Sequence, residues 1–247
     1  MESESSRPTE RIFLSAEWRD LLMLNYETDA ALLRSFVPRG SEIDSFAGRT
    51  YVSLVGFRFL RTKLLGLFPI PFHTNFDEIN LRFYVRRESA GEIRRGVVFI
   101  REIVPRRAIA SIARIVYGEN YVALPMRHRI QRDSAKISAE YQFRIASAWY
   151  TLRGSASGDA APPQEGSLEQ FITEHYWGYT AGHQKPSLEY HVTHVPWRVW
   201  SCSAAAFEGD ASALYGSAFA EILRRPPASA FLADGSPVLV HSATRIR

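Results

Sequence analysis

The chain has 247 residues, 46% of them hydrophobic and 13% aromatic, which is enough apolar side chain for a substantial core and too much for a disordered chain. A single cysteine, Cys202, excludes an intramolecular disulfide framework and a cysteine-rich metal cluster. The net charge of +4 comes from arginine, since lysine occurs only at 63, 136 and 185. The arginines are scattered through apparent strands, which gives little support to a nucleic-acid partner. No apolar run approaches the roughly 18 residues of a membrane span. Met1–Ser6 has neither the basic start nor the apolar run of a signal peptide. No membrane partner and a cytoplasmic location are expected.

In chain order, residues 1–10 are polar and read as a flexible tail, leaving 11–247 for one domain. Leu21–Glu27 reads as a strand after the bulky anchor Trp18. Asp29 suits the N-cap of a short helix through Phe36, stopped by Pro38 and Gly40. Thr50–Leu60 is a strand rich in Val, Tyr and Phe. Lys63–His73 is apolar, yet its two prolines and glycine forbid a central strand or helix interior. It reads equally as a flap over a cavity mouth, a homo-oligomer interface, or a loop tucked against the core.

The stretch Asn75–Val85 organises the rest. On a strand, residues two apart share a face. One face carries Asp77, Ile79, Leu81, Phe83 and Val85, as a core requires. The other carries Phe76, Glu78, Asn80, Arg82 and Tyr84, an odd row of acid, amide and guanidinium between aromatics. Burying such charges in a dry interior is costly, so the row is expected to line a cavity that holds a polar ligand. A half-exposed edge strand remains the alternative.

A hairpin at Ser89–Glu92 leads to a strand over Arg94–Ile103, and Pro105 suits the first turn of a helix stopped at Gly118. Its apolar stripe is Ile109, Ile112, Ile115 and Val116. Strands are expected at Tyr121–Gln131 and Ala135–Ala148, then a loop over Gly154–Gly166. Ser167–Gln170 fits a capping box for a helix ending near His175. Strands follow at Tyr176–Thr180, Ser187–His194 and Trp197–Phe207. A helix is read over Ala211–Leu223, capped by Asp210, and a last strand over Val238–Arg245. Strands outnumber short, dispersed helices. This pattern is α+β and β-rich, a single antiparallel-dominated β-barrel with an internal cavity and a few short helices.

No glycine-rich phosphate loop, His-Glu-x-x-His pair or nucleophile elbow is present. His191 and His194, three apart on a strand, point to opposite faces, so no metal and no cofactor are expected. His175 reads as a capping or packing residue, and Cys202 as a buried structural thiol.

The pattern Phe76-x-Glu78-x-Asn80-x-Arg82-x-Tyr84-Val85 resembles the signature of the YqjF-like family, bacterial proteins of unknown function. The resemblance extends to Trp18 with Asn25-Tyr26, Asp44-x-Phe46-x-Gly48, Glu174-His175-Tyr176 and His194-x-Pro196-Trp197. His175 departs from it, because the family more often has Arg there. The family in turn resembles the acetoacetate decarboxylase fold, a cone-shaped barrel with an internal cavity. Those decarboxylases carry Pro-Lys-Lys after a strand, and its first lysine forms a Schiff base with the substrate. The comparable residues here are Pro105-Arg106-Arg107, and arginine stays protonated and forms no such imine. The resemblance therefore implies the fold without that reaction.

Three functions are carried forward. The first is binding of a small anionic or oxygen-rich metabolite by Arg82, Asn80, Tyr84, Arg106 and Arg107, the last two flanking a helix N-terminus. The second is a lyase or hydratase with Glu78 as general base and Arg82 as electrophilic anchor. The third is an arginine-rich nucleic-acid or protein interaction module.

Overall fold

A computed structural model describes residues 11–69, 74–116, 118–181 and 186–246, with the backbone alone for 112–116. Thus Lys185, the expected N-terminal tail, the end of the apolar stretch at 70–73 and the side chains of Ile112, Ile115 and Val116 lie outside the described residues.

The strand expected at Leu21–Glu27 is the second half of a longer one, β1 (Ile12–Thr28), kinked at Asp20, whose φ is 56°. Asp29 caps α1 (Ala30–Leu33) by accepting a bond from the Ala31 N–H at 2.8 Å. A short β2 (Glu42–Ile43) precedes β3 (Thr50–Leu64), and β4 (Phe68–Pro69) folds back on the end of β3. The described part of the apolar stretch is thus a hairpin tip with Leu65, Leu67 and Phe68 exposed. Next come β5 (Phe76–Ser89) and β6 (Glu92–Val104), joined by a tight turn. The helix after them, α2 (Arg107–Val116), starts two residues later than Pro105.

The two strands expected between 121 and 148 are in fact three, and a fourth begins at Ala148. Pro125 splits the first into β7 (Tyr121–Ala123), parallel to β6, and β8 (Met126–Arg132). A turn at Ala146, with φ of 51°, separates β9 (Lys136–Ile145) from β10 (Ala148–Ser157). Residues 154–157 are therefore strand, not loop. Gly154 serves close packing here, since a Cβ on it would sit 2.5 Å from a Leu22 methyl. α3 (Leu168–Thr173) has Ser167 as its N-cap, and Gln170 bonds back to the Gly166 N–H at 2.7 Å. Then follow β11 (Trp177–Thr180), β12 (Leu188–His194) and β13 (Val199–Glu208). The helix read over Ala211–Leu223 is interrupted at Gly216 into α4 (Ser212–Tyr215) and α5 (Ser217–Leu223). The final strand begins nine residues before Val238, as β14 (Ser229–His241), followed by β15 (Thr244–Arg245).

Strands β12, β11, β6, β5, β3, β1 and β14 are hydrogen-bonded in that order, and β12 also pairs with β14, closing a seven-strand barrel. Pairing is antiparallel except between β11 and β6 and between β6 and β7. β13, β10, β9 and β8 continue from β14 as a second layer against the barrel. This explains why β5 is buried on both faces over Phe76–Val85. Ile79, Leu81, Phe83 and Val85 join Tyr141, Phe143 and Leu152 of the second layer and Phe219 of α5 in one apolar cluster. Val55, Phe57, Phe59, Phe76 and Tyr84 join Leu21 and Met23 in another, inside the barrel. Among the described residues no helix is long and apolar enough to cross a membrane.

Candidate functional site

Alternation along β5 aims Glu78, Asn80 and Arg82 into the barrel, where all three line an internal cavity of about 130 Å³. Asn80 lies directly opposite Glu102 of β6, and Glu102 opposite Tyr121 of β7. These pairings place an amide, a carboxyl and a phenol in one row across three strands. Glu119, two residues before Tyr121, and Tyr190 of β12 complete the polar end of the cavity. Its other surfaces are aromatic, with Trp18, Phe57, Phe59, Phe76 and Trp197. Leu64, at the base of the apolar hairpin, also lines it.

The carboxyls are held as acceptors. Glu78 receives the Asn80 amide at 3.0 Å and the Tyr121 hydroxyl at 3.1 Å, and Glu119 receives the Tyr190 hydroxyl at 2.5 Å. Burial pushes Glu78 up to about 7, against the pull of those two donors and of Arg82. Burial likewise takes Glu119 to about 8. Glu102 rises well above the ordinary value, first by burial and then by repulsion from Glu119 and Glu78.

Arg82 is buried, and among the described residues it has no carboxylate within ion-pair distance. Its Nη2 reaches only the Ile172 carbonyl at 3.4 Å and the Met23 sulfur at 3.8 Å, and its Nε has no partner. Glu78 is four residues along the same strand, roughly 13 Å in Cα spacing, so the two do not pair directly.

Tyr84 stands behind Arg82 rather than on the cavity wall. Its ring lies 5.7 Å from the Arg82 guanidinium carbon, and its hydroxyl bonds Ser53 at 2.6 Å. Arg106 and Arg107 are exposed and do not line the cavity, so they form no wall of it. Pro105 is not the first helical residue; the helix begins at Arg107. His175 does pack as expected, between Tyr84 and Phe171, but it also lines the cavity with neither ring nitrogen hydrogen-bonded among the described residues. Its Nε2 is 3.8 Å from Asp44 Oδ2. Burial, the largest influence, holds the imidazole below its usual range. Burial would raise Asp44, yet His175 and Arg95 outweigh it and hold that carboxyl low.

Lys63 and Lys136 are exposed, and neither lines the cavity. Among the described residues no group of three His, Cys, Asp or Glu side chains is placed to hold a metal ion. The residues that sequence reasoning missed as site residues are Glu102, Glu119, Tyr121 and Tyr190. Glu119 falls in a loop after Gly118, where no periodicity assigns a direction to its side chain.

The fold is that of the acetoacetate decarboxylase-like proteins. Acetoacetate decarboxylase from Legionella pneumophila superposes with a TM-score of 0.67 at 12% identity, covering 100% of this chain and 92% of that one. An acetoacetate decarboxylase-like enzyme from Sphingomonas wittichii RW1 gives 0.63 at 15% identity, covering 100% and 98%. The enduracididine biosynthesis enzyme MppR complexed with pyruvate gives 0.63 at 13% identity, covering 98% and 93%. Among curated relatives, the uncharacterized protein YqjF of Bacillus subtilis is 25% identical over 187 residues, which is 76% of this chain and 75% of that protein. Residues 15–237 match one family throughout, so the chain belongs to DUF2071, a family of uncharacterized conserved proteins.

Proposed function

We propose that the barrel binds a small carboxylate-bearing molecule, anchored by Arg82, without Schiff-base chemistry. The observation that carries this is the unpaired buried guanidinium. An unmatched charge costs several kcal/mol to bury, and a ligand carboxylate in the cavity would offset that cost with a charge-assisted bond. The pyruvate bound by MppR, at the same fold level, is a molecule of this size and charge. The exposed arginines Arg49, Arg86 and Arg153 each pair with a glutamate, which lends no support to an arginine-rich interaction module.

The test is a thermal-melt panel of acetate, pyruvate, butyrate and benzoate. A ligand at a hundred times its dissociation constant stabilises by about 2.7 kcal/mol. Arg82→Ala, with folding checked by circular dichroism, is expected to remove the shift. A shift that survives Arg82→Ala, or no shift from any carboxylate, overturns the reading.

A second reading is favoured by Glu78 alone. A carboxyl brought to about 7 is poised to exchange protons at neutral pH, as the general base of a lyase or hydratase would be. In D2O the protein is expected to speed exchange of the pyruvate methyl protons, followed by proton NMR. Glu78→Gln should slow the catalysed exchange by roughly 10²–10⁴-fold. Equal rates in the two proteins would eliminate Glu78 as the base.

A further inference from the structure

Among the described residues lining the cavity, the full charges are one guanidinium, Arg82, and three carboxyls, Glu78, Glu102 and Glu119. The hydrogen bonds that reach Glu78 and Glu119 all come from donors, the Asn80 amide and the Tyr121 and Tyr190 hydroxyls. Protonated, the three carboxyls are neutral; ionised, they need more cation than Arg82 alone supplies among the described lining residues. Two further acceptors, Glu102 Oε2 and Asn80 Oδ1, are buried with no hydrogen-bond partner among the described residues, and both residues line the cavity. They belong to residues directly opposite each other in the β5–β6 ladder.

We propose that this wall receives a protonated amine, so that the ligand is a small amino acid-like zwitterion with its carboxylate on Arg82 and its ammonium between Asn80, Glu102 and Glu119. The proposal rests on the carboxylate reading above and specifies its substrate class. An ammonium has three donors and no acceptor, which matches Glu102 Oε2, Asn80 Oδ1 and a Glu119 oxygen. Asn80 and Arg82 are two residues apart, roughly 7 Å along β5, so a short carbon chain between the two charged groups fits. A plain acid would leave the same acceptors unmatched, at a cost comparable to losing a hydrogen bond to each.

Proton linkage sets a second signature. The groups facing the ammonium are Glu78 and Arg82 of β5, Glu102 of β6, Glu119 and Tyr121 around the start of β7, and Tyr190 and His194 of β12. His175 faces it from the segment after α3. Burial keeps protons on the three carboxyls. A bound ammonium favours their ionised forms, so binding releases protons and tightens as the pH rises from 6 to 8.5. A plain carboxylate favours the protonated forms and shows the opposite slope.

The experiment is titration calorimetry with three matched pairs: acetate and glycine, propionate and β-alanine, butyrate and 4-aminobutyrate. At one chain length or more the amino compound is expected to bind at least tenfold more tightly, and more so at pH 8.5 than at pH 6. Glu102→Gln and Glu119→Gln, both close in shape to the native side chains, should remove that advantage and flatten the pH dependence of plain-acid binding, without weakening the plain acid at pH 8.5. Arg82→Ala should weaken both members of a pair. Plain acids that bind through Arg82 as tightly as their amino partners at every length overturn this proposal alone. Binding of both members that is indifferent to Arg82→Ala overturns the carboxylate reading, and absence of all binding overturns both.

Discussion

Raising the pH from 5 to 8.5 is expected to destabilise the folded chain, by on the order of 3 kcal/mol from Glu78 alone. The group is fully buried, and its carboxyl is moved from an ordinary 4.5 to about 7. Below 4.5 both folded and unfolded chains hold the proton, and the folded chain has its whole advantage. Between 4.5 and 7 the unfolded chain releases the proton while the folded chain keeps it, so stability falls with pH. Above the folded value both are ionised and the advantage is gone. Glu119, at about 8, extends the same fall upward. His175 and His194 act in the other direction, because burial favours their neutral forms, but only below their ordinary 6.5. The fall is therefore cleanest above pH 6.5. Urea midpoints across this range measure it, and Glu78→Gln or Glu119→Gln should flatten the slope. A wild-type midpoint that rises from pH 6.5 to 8.5 would contradict the placement of these carboxyls in a dry interior.

The barrel is legible in the sequence where alternation is strict and the inward face is chemically unusual. The row Glu78, Asn80, Arg82 reads correctly because period-2 alternation needs no tertiary information. What the row faces does need it. The second layer of β8, β9, β10 and β13 makes both faces of β5 interior, and no local pattern distinguishes that from a half-exposed strand. β10 is hidden because Gly154, Ser155 and Ala156 read as loop composition. Gly154 instead lets β10 of the second layer approach Leu22 of the barrel closely. Most of β14 is hidden for a related reason. Gly235 and Pro237 punctuate it, yet Pro237 occupies a strand that remains paired with β1 through Ser236 and Val238.

The site divides along the same line. Glu78, Asn80 and Arg82 share one strand, so a single periodicity argument finds all three. Glu102 lies on the next strand, and Glu119, Tyr121 and Tyr190 arrive through register and through closure of the barrel, which spacing alone does not encode. Arg106 and Arg107 sit beside a helix start and are exposed, away from the cavity that holds Arg82. Helix-end charge effects are small and screened when water reaches the group. The carboxyl cluster is the feature with most chemical content, and it is also the feature assembled entirely by topology.

Gly178→Ala tests how tightly fold and site are joined. Gly178 of β11 is directly opposite Tyr190 of β12, and on its other side it pairs with Val97 of β6. A Cβ at this position would lie 2.1 Å from the Tyr190 ring carbon that bears the hydroxyl and 2.4 Å from the hydroxyl oxygen. β11 is bonded on both sides and has little room to retreat, so the ring must turn. Turning breaks the 2.5 Å bond to Glu119 and leaves a buried carboxyl without its donor. Overpacking of this kind costs about 1–3 kcal/mol, and the lost hydrogen bond adds about 1–3 kcal/mol. Tyr190→Phe keeps the ring and removes only the hydroxyl, so it isolates the second contribution. In a Tyr190→Ala background the alanine at 178 meets open space, and there the Gly178 substitution should cost under about 1 kcal/mol. Urea unfolding of the two single variants and the double variant measures the coupling. Additive costs would mean that the Tyr190 ring is not what the glycine accommodates. Strong coupling, together with a loss of amine preference in Gly178→Ala, would tie the acidic wall to one close approach in the β11–β12 ladder.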